Sequence, residues 1–197
     1  MRKLIDLEKD LEVCGEASDS QEAIQRLPVC KPDLALIDLG LKGVGGLELI
    51  KSLKQRIPHL SILVMSMFEE TIYAERALRA GAKGYVMKHE PSETVIAALR
   101  RVALGKTYLS PSMSERMLDK LSAPDTTSSP MDALSNRELE VFKLSGKGLK
   151  PAAIAEVLQL SVKTVETYRG QIKSKLGLDN AAELSQYAIA FARNQPQ

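Results

Sequence analysis

Four short apolar runs, each followed by a stretch whose apolar side chains recur three and four positions apart, fill the first 104 residues and leave few folds open to them. The runs are 12–17, Leu34–Ile37, 62–65 and 85–87. The helical spacing falls over 20–27, 46–57, 70–80 and 92–104, as in Leu47, Ile50, Leu53 and Ile57. Strands that are apolar on both faces and alternate with helices predict a parallel sheet covered on both sides, a doubly wound α/β domain.

The pattern stops at 122–132, where two prolines and five hydroxyl side chains stand with almost nothing apolar. That is the composition of a solvated connector, so we read 1–121 and 133–197 as separate domains. The second shows no strand pattern, only four short helical segments. Ser135-Asn-Arg-Glu138 has capping-box spacing and starts a helix at 136. Gly146 or Gly148 suits its end, and Pro151 suits the first turn of the next helix, where its missing N–H costs nothing. A helix over 152–158, a Gln159-Leu160-Ser161 turn and a third helix capped by Ser161 and running to about Leu176 make a helix-turn-helix.

Of the 197 residues, 44% are hydrophobic and 26% charged, which excludes a disordered chain. The longest apolar stretches are too short to cross a bilayer, and the charged N-terminus lacks the apolar core of a secretory signal, so a cytoplasmic protein is expected. Cys14 and Cys30 read as packed thiols; His59 and His89 have no metal-ligand spacing. Net charge is +2, but 141–175 holds seven basic residues against two acidic ones, so any surface facing a polyanion lies there.

In open parallel sheets, reactive groups gather at the carboxyl ends of the strands. Asp38 directly follows the run Leu34–Ile37 and precedes a loop with Gly40, Gly43, Gly45 and Gly46; Ser66 and Lys88 close two further runs. A carboxylate, a hydroxyl and an ammonium at one crevice could accept and hold a phosphoryl group. The plainer reading makes Asp38 a turn cap and Lys88 a solvated strand end.

The succession Lys31-Pro-Asp-Leu-Ala-Leu-Ile-Asp38-Leu, Gly46-Leu-Glu-Leu-Ile, Val64-Met-Ser66-Met and Arg79-Ala-Gly-Ala-Lys-Gly-Tyr85-Val-Met-Lys88 resembles the receiver domain of two-component response regulators, over residues 1 to about 120. The resemblance implies a flavodoxin-like fold, Asp38 as phosphoacceptor for a histidine kinase, Ser66 and Lys88 contacting the phosphoryl group, and Tyr85 as a rotating switch. Magnesium would sit against Asp38 and Gly40. Receivers, however, open with a strand ending in an acidic pair, whereas Met1 to Asp10 resembles the end of their first helix, with Asp6 and Asp10 on that helix facing away. Asp38 alone makes a poor magnesium site. Lys42 and Gly45 stand where the loop usually has proline and a second aspartate. With strand order 2-1-3-4-5, the missing strand leaves a gap beside 12–17. Three outcomes follow: a longer natural product, which we favour, a sheet closed up with four strands, or pairing supplied by another chain.

On the helix 162–176 we read Val162, Val165, Tyr168, Ile172 and Leu176 as one buried stripe. The other face carries Lys163, Thr164, Glu166, Thr167, Arg169, Gly170, Lys173 and Lys175. A charged helix face is more often merely solvated, but behind a tight turn and a preceding helix it reads as a major-groove element. Leu134-Ser-Asn-Arg-Glu138-Leu-Glu-Val, Ile154-Ala-Glu-Val-Leu, Leu160-Ser-Val-Lys-Thr-Val-Glu-Thr-Tyr168 and Ile172-Lys-Ser-Lys-Leu-Gly177-Leu closely resemble the LuxR-type DNA-binding domain, over about 133–190. With the receiver-like half, the chain is similar to NarL/FixJ-type response regulators.

That likeness implies base-facing positions at Glu166, Thr167 and Gly170, and phosphate contacts from Lys163, Thr164, Arg169 and Lys173. A last helix, about 180–192, would use Leu184, Tyr187, Ala188 and Phe191 to cover its own core or to form a homodimer reading paired half-sites in double-stranded DNA. The expected function is transcription regulation, not enzymatic turnover. A degenerate receiver acting through protein or ligand contact is the alternative. An aspartyl-phosphate enzyme would carry a second aspartate where Gly40 stands, and a pure interaction module would not need the basic face.

Overall fold

The computed structural model describes residues 1–41, 45–122 and 130–193. The chain divides into two compact units, Met1–Ser122 and Ala123–Gln197.

The first unit holds a three-stranded sheet, β1 (Leu34–Ile37), β2 (Ser61–Ser66) and β3 (Gly84–Met87), in the order β1-β2-β3 and parallel throughout, with Ala35 opposite Ile62 and Val64 opposite Tyr85. Helices α2 (Ser20–Cys30), α3 (Gly46–Arg56), α4 (Glu70–Ala80) and α5 (Ser92–Ala103) alternate with the strands, α2 preceding β1; a short α1 (Arg2–Ile5) precedes them all and α6 (Pro111–Ser122) follows. β2 lies between its neighbours, and Ile62, Leu63 and Val64 are wholly buried. Leu63 and Val86 pack with Val95, Leu99 and Val102 of α5. Because side chains alternate along a strand, Ile62, Val64 and Tyr85 face the opposite side.

The doubly wound α/β reading holds, with one correction: residues 12–17 form no strand. Nor does the sheet close up with four strands. Apolar composition alone makes no ladder, because every strand amide needs a partner across a gap of about 4.8 Å. Between 12–17 and β1 lies a cavity of about 650 Å³ instead, with Ile5, Leu11, Val13 and Leu99 on its walls. Asp10 is not on a helix. It follows α1 in a turn, and its carboxylate takes two hydrogen bonds from Arg100 of α5, at 2.8 and 2.7 Å; Glu8 accepts a third at 2.6 Å. Asp6 caps α1 and pairs with Arg2.

In the second unit, a 3₁₀ turn (Pro130–Ala133) leads into α7 (Asn136–Gly146), α8 (Pro151–Leu158), α9 (Val162–Leu176) and α10 (Ala181–Arg193). Met131, inside the stretch read as connector, is buried here. The capping box forms as expected: Ser135 accepts from the Glu138 amide, while the Glu138 carboxylate accepts from the Ser135 amide at 2.6 Å. Gly146 lets α7 come close to α10; a Cβ there would stand 2.5 Å from the carbonyl oxygen of Ala188. Phe142 stacks edge-on against Phe191 and tilted against Tyr187.

Candidate functional site

At the carboxyl end of the sheet, Asp38 leaves β1, Ser66 ends β2 and Lys88 leaves β3, so three parallel strands deliver the three groups to one edge. The Lys88 ammonium donates to Asp38 Oδ2 at 2.5 Å, and the Gly40 amide donates to Oδ1 at 2.9 Å. Both side chains of the ion pair remain about one-third exposed, 29% for Asp38 and 34% for Lys88. A carboxylate held this way is oriented yet open to an incoming electrophile, with a cation and an amide already beside it. Gly46, at the start of α3, is required by close approach: a Cβ there would lie 2.6 Å from the Leu39 Cα.

Ser66 is buried and its Oγ accepts from the Phe68 amide at 3.1 Å, while the Lys88 amide donates to the Ser66 carbonyl at 2.8 Å. Tyr85 is wholly buried and donates its hydroxyl to the Phe68 carbonyl at 2.6 Å. Burial pushes that hydroxyl's pKa well up, a hydrogen bond with Ser66 opposing, so Tyr85 stays protonated across the physiological range. Phe68 therefore joins Ser66 and Tyr85 through its backbone, a link that residue spacing did not show. Glu70, two residues on, accepts from Ser110 and ties the start of α4 to the start of α6.

Magnesium requires a near-octahedral oxygen shell, normally built on more than one acidic group. Here Asp38 is a single carboxylate, and the ammonium on one of its oxygens repels a second cation. Among the described residues, no group of three His, Cys, Asp or Glu side chains is placed to hold a metal ion. The residues present do not fit the ion.

In the second unit, α9 starts at the Ser161 cap, whose hydroxyl accepts from the Thr164 amide at 3.0 Å, and ends at Gly177 in the left-handed region with φ 66°. The three-residue turn from α8 is present, opened by Gln159 at φ 53°. Lys163, Glu166, Thr167 and Gly170 stand exposed along one face, with Thr164 and Lys173 half-buried at its margins. Nothing approaches within 4 Å of where a Gly170 Cβ would be.

Three assignments on this helix change. Arg169 is only 8% exposed; its guanidinium donates to Ser145 of α7 at 3.3 Å and pairs with Glu166 at 3.7 Å. It lies four residues after Val165 and three before Ile172, so helical geometry puts it in the buried stripe despite its charge. Lys175 is exposed but engaged, donating to the buried Glu138 carboxylate at 2.7 Å. Burial pushes the Glu138 carboxyl up, but hydrogen bonds from Lys175 and Ser135 outweigh this and hold it below the usual range. Val162, in turn, is 48% exposed and belongs to no core. In α10, Leu184 and Ala188 are buried, Phe191 is half-buried and Tyr187 is exposed.

Fold and crevice together define a receiver-type α/β unit joined in sequence to a helix-turn-helix unit. The response regulator receiver domain matches residues 1–100, and the luxR family of bacterial regulatory proteins matches residues 132–188. The oxygen regulatory protein NreC of Staphylococcus aureus is 38% identical over 192 residues, covering 94% of this chain and 88% of NreC. RcsB from Salmonella enterica serovar Typhimurium, bound to promoter rprA in the presence of phosphomimetic BeF3-, is 29% identical with a TM-score of 0.62, covering 95% of this chain and 90% of RcsB. A structure of two RcsB dimers bound to two parallel DNAs matches at 29% identity and TM-score 0.55, covering 96% of this chain and 90% of that one. The chain belongs to the two-component response regulators with a LuxR-type DNA-binding domain. Among the described residues no helix is long and apolar enough to cross a membrane.

Proposed function

We propose that this chain regulates transcription by binding double-stranded DNA as a homodimer through α9, with the first unit controlling that output. One observation carries the reading: α9 is pinned to its own domain by Val165, Arg169 and Ile172 while Lys163, Glu166, Thr167 and Gly170 stay clear of it. Glu166, Thr167 and Gly170 would face base edges, where a glutamate accepts from cytosine N4; Lys163, Thr164 and Lys173 would serve phosphates. RcsB, bound to promoter DNA and present as dimers, supports the same use here. The exposed Tyr187 on α10 would contribute to the dimer interface. Fluorescence anisotropy with promoter fragments tests this: Lys163→Ala must weaken binding, and equal affinity for wild type and variant would sink the reading.

We further propose the Asp38 crevice as the control point, with Asp38 as phosphoacceptor for a histidine kinase and Ser66, Lys88 and Tyr85 as its contacts and switch. We assign it no enzymatic turnover. A second reading, control through a protein or ligand contact at the same crevice without phosphoryl transfer, is favoured by the single carboxylate and its poor fit to magnesium. Acetyl phosphate or beryllofluoride with magnesium separates the two. A phosphoryl-sized mass gain lost in Asp38→Asn supports phosphorylation, and no Asp38-dependent change supports contact control.

A further inference from the structure

Cys14 and Cys30, sixteen positions apart in sequence, both line the cavity beside β1. Neither is a fully packed thiol: Cys14 is exposed and Cys30 half-buried. Gly15 makes the approach possible, since a Cβ on it would lie 2.8 Å from Cys30 Sγ and 3.9 Å from Cys30 Cβ. The Cys30 thiol thus rests on the backbone of the residue right after Cys14. The surroundings favour adjustment. Residues 12–17 carry neither helix nor ladder, and Cys30 ends α2 just before Lys31 turns the chain through the left-handed region at φ 47°. One side of the pair can therefore settle into the roughly 4.4–6.8 Å Cα separation that a disulfide needs.

We propose that Cys14 and Cys30 form a dithiol redox site that closes to an intramolecular disulfide by exchange with a low-molecular-weight disulfide of the glutathione type. Cys14, the exposed thiol, loses its proton and its sulfur attacks one sulfur of the small disulfide. That S–S bond breaks, and one small thiolate leaves and takes up a proton. Cys30 then loses its proton and attacks Cys14 Sγ, forming the Cys14–Cys30 bond and expelling the second small thiol. Two protein thiols are oxidised, and one small disulfide is reduced to two thiols. Burial and the neighbouring Cys30 push the Cys14 thiol's pKa up, so the first step is slow at neutral pH; proximity drives the second. The product staples residues 12–17 to the end of α2. This proposal does not depend on the DNA-binding reading.

The test uses the full chain incubated with oxidised glutathione at mildly alkaline pH, followed by intact mass and non-reducing peptide mapping. The expected result is a loss of about 2 Da with one linked Cys14–Cys30 peptide, reversed by dithiothreitol. Cys30→Ser should stall as a glutathione adduct on Cys14. The same incubation in urea should give mainly adducts, because the unfolded chain does not hold the thiols together. Glutathione adducts without the linked peptide in the folded wild type, disulfides between chains only, or equal cross-linking in urea would each overturn the proposal.

Discussion

Arg169 and Lys163 carry the same charge on the same helix and stand in opposite surroundings. Lys163 is exposed on α9, whereas Arg169 lays its stem across the buried stripe and its guanidinium on Ser145. Their substitutions should separate cleanly. Lys163→Ala should weaken DNA binding and reduce the slope of log affinity against log salt by about 1.8, the share of two phosphates, one for each chain of the dimer. Arg169→Ala should leave that slope alone and destabilise the second unit by about 1–3 kcal/mol, seen as a lower urea midpoint. A salt slope that dropped equally in both would refute the division. The letters contained the signal, since position 169 keeps the four-three spacing with Val165 and Ile172, but an arginine on a basic helix draws the eye to its charge before its place. Lys175 was harder to read: its engagement with Glu138 spans two helices and depends on how α7 and α9 cross.

Single elements show how the same residue type takes different roles. Gly146 lets α7 approach α10 at Ala188, so Gly146→Ala should cost about 1–3 kcal/mol by pushing the helices apart. Gly170 sits mid-helix in open space, and Gly170→Ala should stabilise by about 1 kcal/mol through helix propensity. Thermal melts of both variants check the pair. Near the N-terminus, hydrogen bonding from Arg100 holds the Asp10 carboxyl at about 2, against an ordinary 3.8. The folded value is the lower one, so this anchor contributes above the ordinary carboxylate range and is lost as pH falls from about 4 toward 2. An NMR titration should show Arg100→Ala returning Asp10 to its ordinary range. The strands and α2 to α5 were legible because apolar periodicity changes from two-sided runs to three-four spacing at each boundary. Residues 12–17 misled because a strand is a property of two segments, and composition describes one. Helix α6 is held by contacts distant in sequence: Glu75 of α4, which also accepts from Arg79, accepts from its Lys120.

Across the whole molecule, charge is divided between the two units. The first carries balanced charges, and the basic excess lies between 141 and 175 in the second. With Arg169 engaged internally, Lys163 and Lys173 are the cations that remain for phosphates on each α9, so a dimer neutralising about four phosphates should show a wild-type salt slope of about −3.6. Sedimentation with a palindromic fragment should show two chains per site, and a single chain at saturation would contradict dimeric binding. The crevice residues Asp38, Ser66 and Lys88 were readable because each follows an apolar run directly. What the letters could not give was the Lys88–Asp38 pairing, which spans fifty positions.

β1 is the last rung of the sheet, hydrogen-bonded to β2 and bordered by the 650 Å³ cavity. A ribbon of Leu34, Ala35, Leu36 and Ile37 in that place is an adhesive margin. Its amides should exchange with deuterium sooner than those of the doubly flanked β2, and crowding should drive molecules to join along it, setting a ceiling on the concentration at which the protein stays dispersed.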